Sequence, residues 1–401
     1  MDPIFATAAL WLALAVVSAL IAAHLRLSIA LIEICLGVAV AALAGWLPIE
    51  HVLAADSDWI RFLASSGAVV LTFLAGAELD PQVMRTKLQE VGMVGLIGFL
   101  APFLGCAAVA FSVLGWDAKA SWLCGVALST TSMAVVYAVL LETGFNRTEF
   151  GKGLLGSCFV NDLGTVVALG VLFAPFTYKT LIFLAGSAVA ISSLPRLTTW
   201  LTRHYANRTA AIRTKWVMVV LFGLGALALW SGSEAVLPAY LAGMVLAGSA
   251  ARDTHWIRRL RTLTVGFLTP FYFIRAGTLV SLPALLAAPL ILMVLLVAKV
   301  VSKIFGLYPV ISLFRRERNE RWYYTLLMST GLTFGTISAI YGLAHEIVTQ
   351  EQYSYLVAAV IASAVVPTVI AGAAFVPTHL LPEGSHLGKP ARRINGPSEE
   401  G

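Results

Sequence analysis

The chain has 401 residues, of which 59% are hydrophobic and only 12% are charged. A water-soluble domain carries about twice that charged fraction, so the composition excludes an ordinary soluble protein and predicts one that crosses a membrane many times. The net charge of +6 does not indicate nucleic acid as a partner, because the basic residues fall in short loops between apolar segments.

About thirteen apolar spans fit the sequence. In chain order they cover residues 4–23, 28–47, 59–77, 92–115, 119–141, 149–173, 177–199, 214–230, 234–250, 262–280, 284–313, 323–343 and 353–376. The first run has no basic residue before it, so it reads as a transmembrane helix and not as a signal peptide. We therefore predict an all-α polytopic protein in the lipid bilayer, with a membrane domain over residues 1–378.

The basic loops assign the sides of the membrane. Most of the 27 Lys and Arg residues fall in alternate loops on one side, which the positive-inside rule makes cytoplasmic. This predicts an outside N-terminus, a cytoplasmic C-terminus and a multi-pass protein of the cell inner (plasma) membrane. Residues 379–401 are rich in proline, glycine and charge, and we expect a disordered cytoplasmic tail there.

The span over residues 149–173 carries a carboxyl group near its middle, Asp162. A charge at that depth costs about 2.5–3.5 kcal/mol or more, so such an acid is a candidate functional residue. Because apolar surroundings disfavour the charged form, a proton can compete there with a cation. The alternative is a structural acid permanently paired with a buried base. Asn161 could orient Asp162, cap a broken helix or make an ordinary interhelical bond; Ser157, off the Asp162 face, is a weaker ligand candidate.

Two spans carry small, hydroxyl-rich segments at membrane depth, Ser129–Ser132 and Ser329–Thr336. Such segments are typical of helices that unwind to line a cavity, although small residues also mark tight helix packing. The segments lie seven spans apart and so run in opposite directions, as inverted repeats predict. The candidate residues in them are Thr130 and Thr131 in the first, and Thr330, Gly331 and Thr333 in the second.

Two lysines, Lys299 and Lys303, share one face of the eleventh span. Either could balance Asp162 or the ends of the broken helices, and Lys303 could instead extend to the cytoplasmic surface. Arg275 lies nearer the outer end of its span, where a gate, a partner for an acid such as Glu234 and an interfacial anchor are all open.

Acidic residues near the cytoplasmic ends of two spans, Glu78 and Glu33, could line a funnel that attracts cations. Solvated helix-end charges are the alternative. No His cluster, G-x-S-x-G or Walker pattern is present in the sequence, so we expect neither an enzyme nor a cofactor. A transporter is favoured over a membrane sensor or assembly protein, because a structural protein gains nothing from a buried acid.

Several segments together resemble a known family. Phe73–Pro81 reads F-L-A-G-A-E-L-D-P and resembles the F-L-A-G-L-E-L-D-P signature of the monovalent cation:proton antiporter-2 family, with its Kef-type and NapA-type members. Ser129–Val136 resembles the family's broken helix, and Val160–Asp162 its acid-bearing segment. Pro270–Gly277 and Ser302–Gly306 resemble its P-F-F-F-x-x-x-G and G-K-l-x-G segments.

The resemblance implies a core domain with two broken crossing helices, a dimerisation domain, a homodimer and an elevator-type exchange of Na⁺ or K⁺ for H⁺. It implies that Asp162 binds the cation or the proton, that Thr130 and Thr131 lie in the unwound segment, and that Lys303 is the basic residue of the core. This chain differs in having Asn161 before the acid and in Arg275, and we expect it to be a variant without the nucleotide-binding domain of many Kef-type members. A Kef-like K⁺ efflux system with a separate regulatory subunit is the alternative.

Asn161 has a consequence for stoichiometry. With one carboxylate, one monovalent cation and one proton compete for a single negative charge. If the nearby lysine stays charged, both half-cycles carry the same charge, and we expect electroneutral exchange of one cation per proton.

Overall fold

The structure is a computed structural model that describes residues 4–25, 29–46, 53–77, 86–145, 148–173, 177–205, 211–233 and 235–380. The regular elements in these ranges are all helices, which confirms the all-α prediction. Nine helices of the described ranges are long and apolar enough to cross a membrane, and Ile29–Ala44 is a shorter apolar helix. The chain is thus a multi-pass membrane protein, while the count of about thirteen spans stays a prediction.

The helices follow one another closely along the chain. The first half contains α1 (Ile4–Leu25), α2 (Ile29–Trp46), α3 (Asp58–Ala77), α4 (Leu88–Ser112), α5 (Ala118–Ser129), α6 (Met133–Thr143), α7 (Glu149–Phe173) and α8 (Tyr178–Tyr205). The second half contains α9 (Ile212–Ser231), α10 (Val236–Arg252), α11 (Thr254–Leu263), α12 (Thr269–Thr278), α13 (Leu282–Ala287), α14 (Pro289–Phe314), α15 (Arg318–Met328), α16 (Thr333–Ala344) and α17 (Gln350–Ala374).

The helices pack as two groups. The core group consists of α4–α7 and α14–α17, and the scaffold group consists of α1–α3 and α8–α12. The most extensive helix contacts fall inside these groups, while α10 meets α7 between them and α13 leads from one to the other. Asp162 on α7 and both interrupted spans belong to the core group.

Glycine pairs allow two close crossings in the scaffold group. A side chain at Gly37 of α2 or Gly277 of α12 would overlap a backbone carbonyl of the facing helix, and the same holds for Gly76 of α3 and Gly243 of α10. Close approach of backbones is what small residues permit in membrane helices. These crossings make α2–α12 and α3–α10 tightly packed pairs.

Both predicted interruptions are present. Residues 130–132 separate α5 from α6, and residues 329–332 separate α15 from α16. The predicted span 284–313 is two helices, because Pro289 begins α14 and a proline disfavours helical geometry at the residue before it. Ala288 is accordingly non-helical, with φ −137° and ψ 61°. The predicted span 262–280 begins earlier, at Thr254, and contains a π-helical turn at Thr264–Leu268.

Candidate functional site

The two interruptions touch each other in the centre of the core group. The Thr131 hydroxyl donates to the carbonyl of Met328 at 2.8 Å, and the Ser132 amide donates to the carbonyl of Thr330 at 3.2 Å. These four residues are at most 1% exposed. The extended chain of one break is therefore bonded directly to the end of the other, as crossing broken helices require.

The first break is held open by local hydrogen bonds. Thr130 is extended, with φ −63° and ψ 153°, so the α5 helix cannot continue through it. The hydroxyls of Ser129 and Thr130 donate to carbonyls of the last turn of α5 at 2.8 and 3.1 Å. The Ser132 hydroxyl accepts the amide of Val135 at 3.3 Å and caps α6. Two helix ends of opposite partial charge thus meet at this break.

Asp162 lies on α7 and is 1% exposed. Its Oδ1 has no hydrogen-bond partner among the described residues. A buried carboxyl oxygen normally has a partner, because an unpaired polar atom away from water is costly. The free oxygen makes Asp162 available to a cation or a proton.

Asn161 connects Asp162 to the first break. Its Nδ2 donates to the carbonyl of Ser129, the last residue of α5, at 3.3 Å. The side chain therefore bonds a carbonyl at the end of the broken helix, which is one of the roles that its position suggested. Its Oδ1 is buried and has no partner within the described chain, so two neighbouring residues each offer an unused oxygen.

The two lysines of α14 lie at different breaks. The Lys303 ammonium donates to the Thr131 hydroxyl at 2.9 Å, in the first break. Lys299, one turn away, lies beside Gly331 in the second break, and its Nζ has no hydrogen-bond partner in the ranges that the structure describes. Both lysines are fully buried, so neither reaches the cytoplasmic surface.

The second break is shaped by the absence of a side chain. A Cβ at Gly331 would overlap Lys299 Nζ and would lie 3.0 Å from Thr130 Oγ1 and 3.3 Å from Ser363 Oγ. Thr330 Oγ1 donates to the carbonyl of Leu327 at 2.7 Å, and Thr333 begins α16. The glycine thus provides the space that the Lys299 ammonium occupies.

A profile of transmembrane sodium/hydrogen exchangers matches residues 12–378. The chain belongs to the sodium/hydrogen exchanger family. The family's activity is the exchange of a monovalent cation for a proton, so this exchanger is a transporter and not an enzyme.

Individual relatives agree with the family. The exchanger is 22% identical over 328 residues to the probable Na(+)/H(+) antiporter 3 of Methanocaldococcus jannaschii, covering 78% of this chain and 83% of that one. It is 25% identical over 313 residues to the glutathione-regulated potassium-efflux system protein KefC of Escherichia fergusonii, covering 73% of this chain. Only 48% of KefC is covered, so the exchanger spans about half of that relative's length.

A solved structure shows the same fold. The sodium proton antiporter MjNhaP1 of Methanocaldococcus jannaschii, determined at pH 8, superposes with a TM-score of 0.68 at 17% sequence identity. The superposition covers 92% of the exchanger and 96% of that chain.

Two other candidate residues, Ser157 and Arg275, have their hydrogen bonds outside the crossing. The Ser157 hydroxyl bonds the Tyr324 hydroxyl at 2.9 Å, away from Asp162. Arg275 donates to the carbonyl of Ala55 at 3.0 Å and contacts Asp56 at 3.4 Å, so it anchors the segment before α3. Of the three roles open to Arg275, this ion pair favours the partner of an acid, with Asp56 as that acid, while Glu234 lies outside the described residues.

Of the two funnel candidates, the described residues include Glu33 alone. Glu33 is 2% exposed on α2, in the scaffold group, and so is not a solvated helix-end charge. Glu78 lies outside the described residues, as does the predicted tail beyond Leu380. Ser363, beside Gly331, was missed by sequence reasoning; it lies 201 residues after Asp162, which is also the separation of the first residues of α7 and α17.

Proposed function

We propose that Na⁺ or K⁺ and H⁺ bind in competition at Asp162 and are exchanged across the membrane. The unpartnered Oδ1 of this buried carboxyl carries the proposal. Asn161 Oδ1 adds a second unused oxygen, and carboxylate and carbonyl oxygens are the ligands that hard cations prefer. Thr130 and Thr131 supply further hydroxyl and carbonyl oxygens at the break.

Alternating access then requires Asp162 to face each side in turn. The division of the helices into two separately packed groups supports an elevator-type movement of the core group along the scaffold group. In this mechanism the crossing helices and Asp162 move together, because hydrogen bonds join the two breaks.

Exchange of Na⁺ or K⁺ for H⁺ can be measured with a pH-sensitive dye in liposomes that contain the purified exchanger. Asp162→Asn keeps the size of the side chain and removes the charge, so cation-dependent dye recovery should vanish. Asp117→Asn is the matched control, because Asp117 is an exposed cap of α5 and asparagine caps helices as well as aspartate does. Exchange that persists in Asp162→Asn would disprove the proposal.

Competition at one carboxylate predicts a pH dependence. As the pH falls and protons occupy Asp162, the cation concentration for half-maximal exchange should rise, approaching about tenfold per pH unit at the acidic limit. A half-maximal concentration that is constant between pH 6 and pH 9 would show that the proton binds elsewhere.

The exchange should be electroneutral, with one cation per proton. Lys303 is bonded to Thr131, and a lysine that keeps its charge leaves the same net charge in both half-cycles. Transport currents on supported membranes test this stoichiometry. A steady current that scales with the amount of protein and follows the membrane potential would contradict it.

The exchanger is similar both to a sodium antiporter and to a potassium-efflux protein, so we propose Na⁺ or K⁺ as its substrate cation. A titration of the dye response with Na⁺, K⁺ and Li⁺ distinguishes them. We further propose a homodimer in the cell inner (plasma) membrane, with a cytoplasmic C-terminus. The second candidate is a Kef-like K⁺ efflux system, which would respond to K⁺ and require a separate regulatory subunit for full activity.

A further inference from the structure

We propose that Tyr240 is a positioning residue that holds the two helix groups together at the depth of Asp162, and that breaking its contact limits the rate of alternating access. This inference rests on the proposed exchange and adds to it the contact that must be broken for Asp162 to change sides. Nothing in the sequence pattern marks Tyr240, because its neighbours come from distant parts of the chain.

Tyr240 contacts the acid-bearing helix directly. It lies on α10, is fully buried, and its hydroxyl donates to the carbonyl of Phe159 at 3.0 Å. Phe159 is three residues before Asp162 on α7. The two rings also stack, with centroids 5.2 Å apart and planes at 24°.

The same ring contacts the second broken span. Tyr240 meets the edge of Phe334 with centroids 5.8 Å apart and planes at 89°, a favourable geometry for an aromatic pair. Phe334 is the second residue of α16, directly after the break. One scaffold side chain therefore contacts both elements that bear the proposed binding site.

The backbone at Tyr240 is fixed to the scaffold group. A side chain at Gly76 of α3 would overlap the carbonyl of Tyr240, so α3 and α10 pack backbone to backbone at this level. Tyr240 cannot follow the core group if that group moves. Its hydrogen bond to Phe159 must then break, and its ring must leave Phe159 and Phe334.

Other bonds between the groups lie near the predicted outer end, where Gln350 of α17 donates to the carbonyl of Leu279, the residue after α12. Tyr353 of α17 donates to the carbonyl of Ala276 of α12 at 2.8 Å. Among the described residues neither Gln350 nor Tyr353 is hydrogen-bonded to a break, whereas Tyr240 bonds the helix of Asp162 itself. For this reason Tyr240 is the residue whose release is tied to the movement of the site.

The decisive variant is Tyr240→Phe, which keeps the ring and removes only the hydroxyl. Loss of one net hydrogen bond from the bonded state corresponds to about a two- to tenfold change in rate. We expect turnover in liposomes to rise by that factor. Tyr341→Phe is the matched control, because the Tyr341 hydroxyl donates to the carbonyl of Phe173 within the core group, and it should leave turnover unchanged.

Distances between the groups give an independent measurement. Pulsed EPR measures the distance between spin labels attached at Asp58→Cys on α3, in the scaffold group, and at Lys119→Cys on α5, in the core group. Both positions are exposed. Cys35, the exposed native thiol of the described chain, is replaced by serine. Tyr240→Phe should add or enlarge a second distance population, and Tyr341→Phe should not.

An unchanged or lower turnover in Tyr240→Phe, or a distance distribution equal to that of the parent, would overturn the inference. Failure of the proposed function is separable from this result. If the unmodified exchanger shows no cation-dependent proton movement, the proposed function fails, while the distance measurement still decides whether Tyr240 holds the groups together.

Discussion

Each break interrupts a span at the crossing, but the two breaks differ in their side chains. At the first, Asn161 bonds the end of α5, Lys303 bonds Thr131, and Ser132 caps α6. At the second, the N-cap of α16 is Leu332, which makes no side-chain cap, and Lys299 Nζ has no partner in the described ranges. Side chains therefore bond or cap both helix ends at the first break, whereas at the second the Lys299 ammonium lies in the space beside Gly331.

The two halves of the core group also differ in the residue that lies at the place of Asp162. The first residues of α7 and α17, Glu149 and Gln350, are 201 residues apart, and the residue 201 positions after Asp162 is Ser363. The acid has a hydroxyl as its counterpart, and the buried amine beside that hydroxyl is Lys299. At these places the first half therefore has a carboxyl group, whereas the second half has a hydroxyl group with a buried amine beside it.

The largest expected effect comes from moving the acid between the halves. In the double variant Asp162→Ser/Ser363→Asp the new carboxylate lies close to Lys299 and should pair with it. We expect exchange in liposomes to stay at least about 100-fold below that of the unmodified protein, equivalent to about 2.7 kcal/mol. Asp162→Ser alone is the reference variant, and a double variant that recovers activity to within about tenfold would show that the halves are interchangeable.

A smaller effect separates the two lysines. Lys303→Met removes a buried, charge-assisted hydrogen bond and should lower stability by about 1–3 kcal/mol. Lys299→Met removes an unpartnered buried amine and should leave stability unchanged or raise it, because burying an unpaired polar group is costly. Thermal unfolding of the purified variants in detergent measures both changes. A midpoint lowered more by Lys299→Met than by Lys303→Met would refute the contrast drawn between the breaks.

The smallest effect on exchange is expected at Ser157, on the boundary of the site. Ser157→Ala leaves the buried Tyr324 hydroxyl without its partner and should cost about 1–3 kcal/mol, whereas Ser157→Ala/Tyr324→Phe should be nearly neutral. A double-mutant cycle on unfolding measures the coupling. Exchange should keep its cation dependence in both variants. A raised half-maximal cation concentration in Ser157→Ala would instead place this hydroxyl among the cation ligands.

Local features of the fold and the site could be predicted from the sequence. Short stretches of consecutive residues are enough to identify Asp162 inside a long apolar run and the hydroxyl-rich segments about Thr130 and Thr330. Asn161 could be predicted as a candidate residue because it is next to Asp162 in the sequence. The interruption at Ala288 was also readable, since Pro289 marks it, but the continuous hydropathy of residues 284–313 outweighed that signal.

Contacts between distant residues could not be predicted. Arg275 meets Asp56, 219 residues away, and Tyr240 meets Phe159, 81 residues away, because helix packing brings them together. Lys299 and Lys303 lie on one face of one helix, so the sequence does not distinguish them. Which break each long side chain enters depends on how the helices pack. Hydropathy identifies such helices without giving their neighbours.

The glycine crossings of the scaffold group limit how this part of the sequence can vary. Even one added methyl group at Gly37, Gly277, Gly76 or Gly243 meets backbone and not a movable side chain. Variation here requires a compensating change in the facing backbone, which no single substitution supplies. Other glycines, such as Gly223 in α9, have nothing within 4 Å of an added Cβ and are free to change. Among diverging sequences, these four positions should therefore stay glycine while their neighbours on the same helices are exchanged.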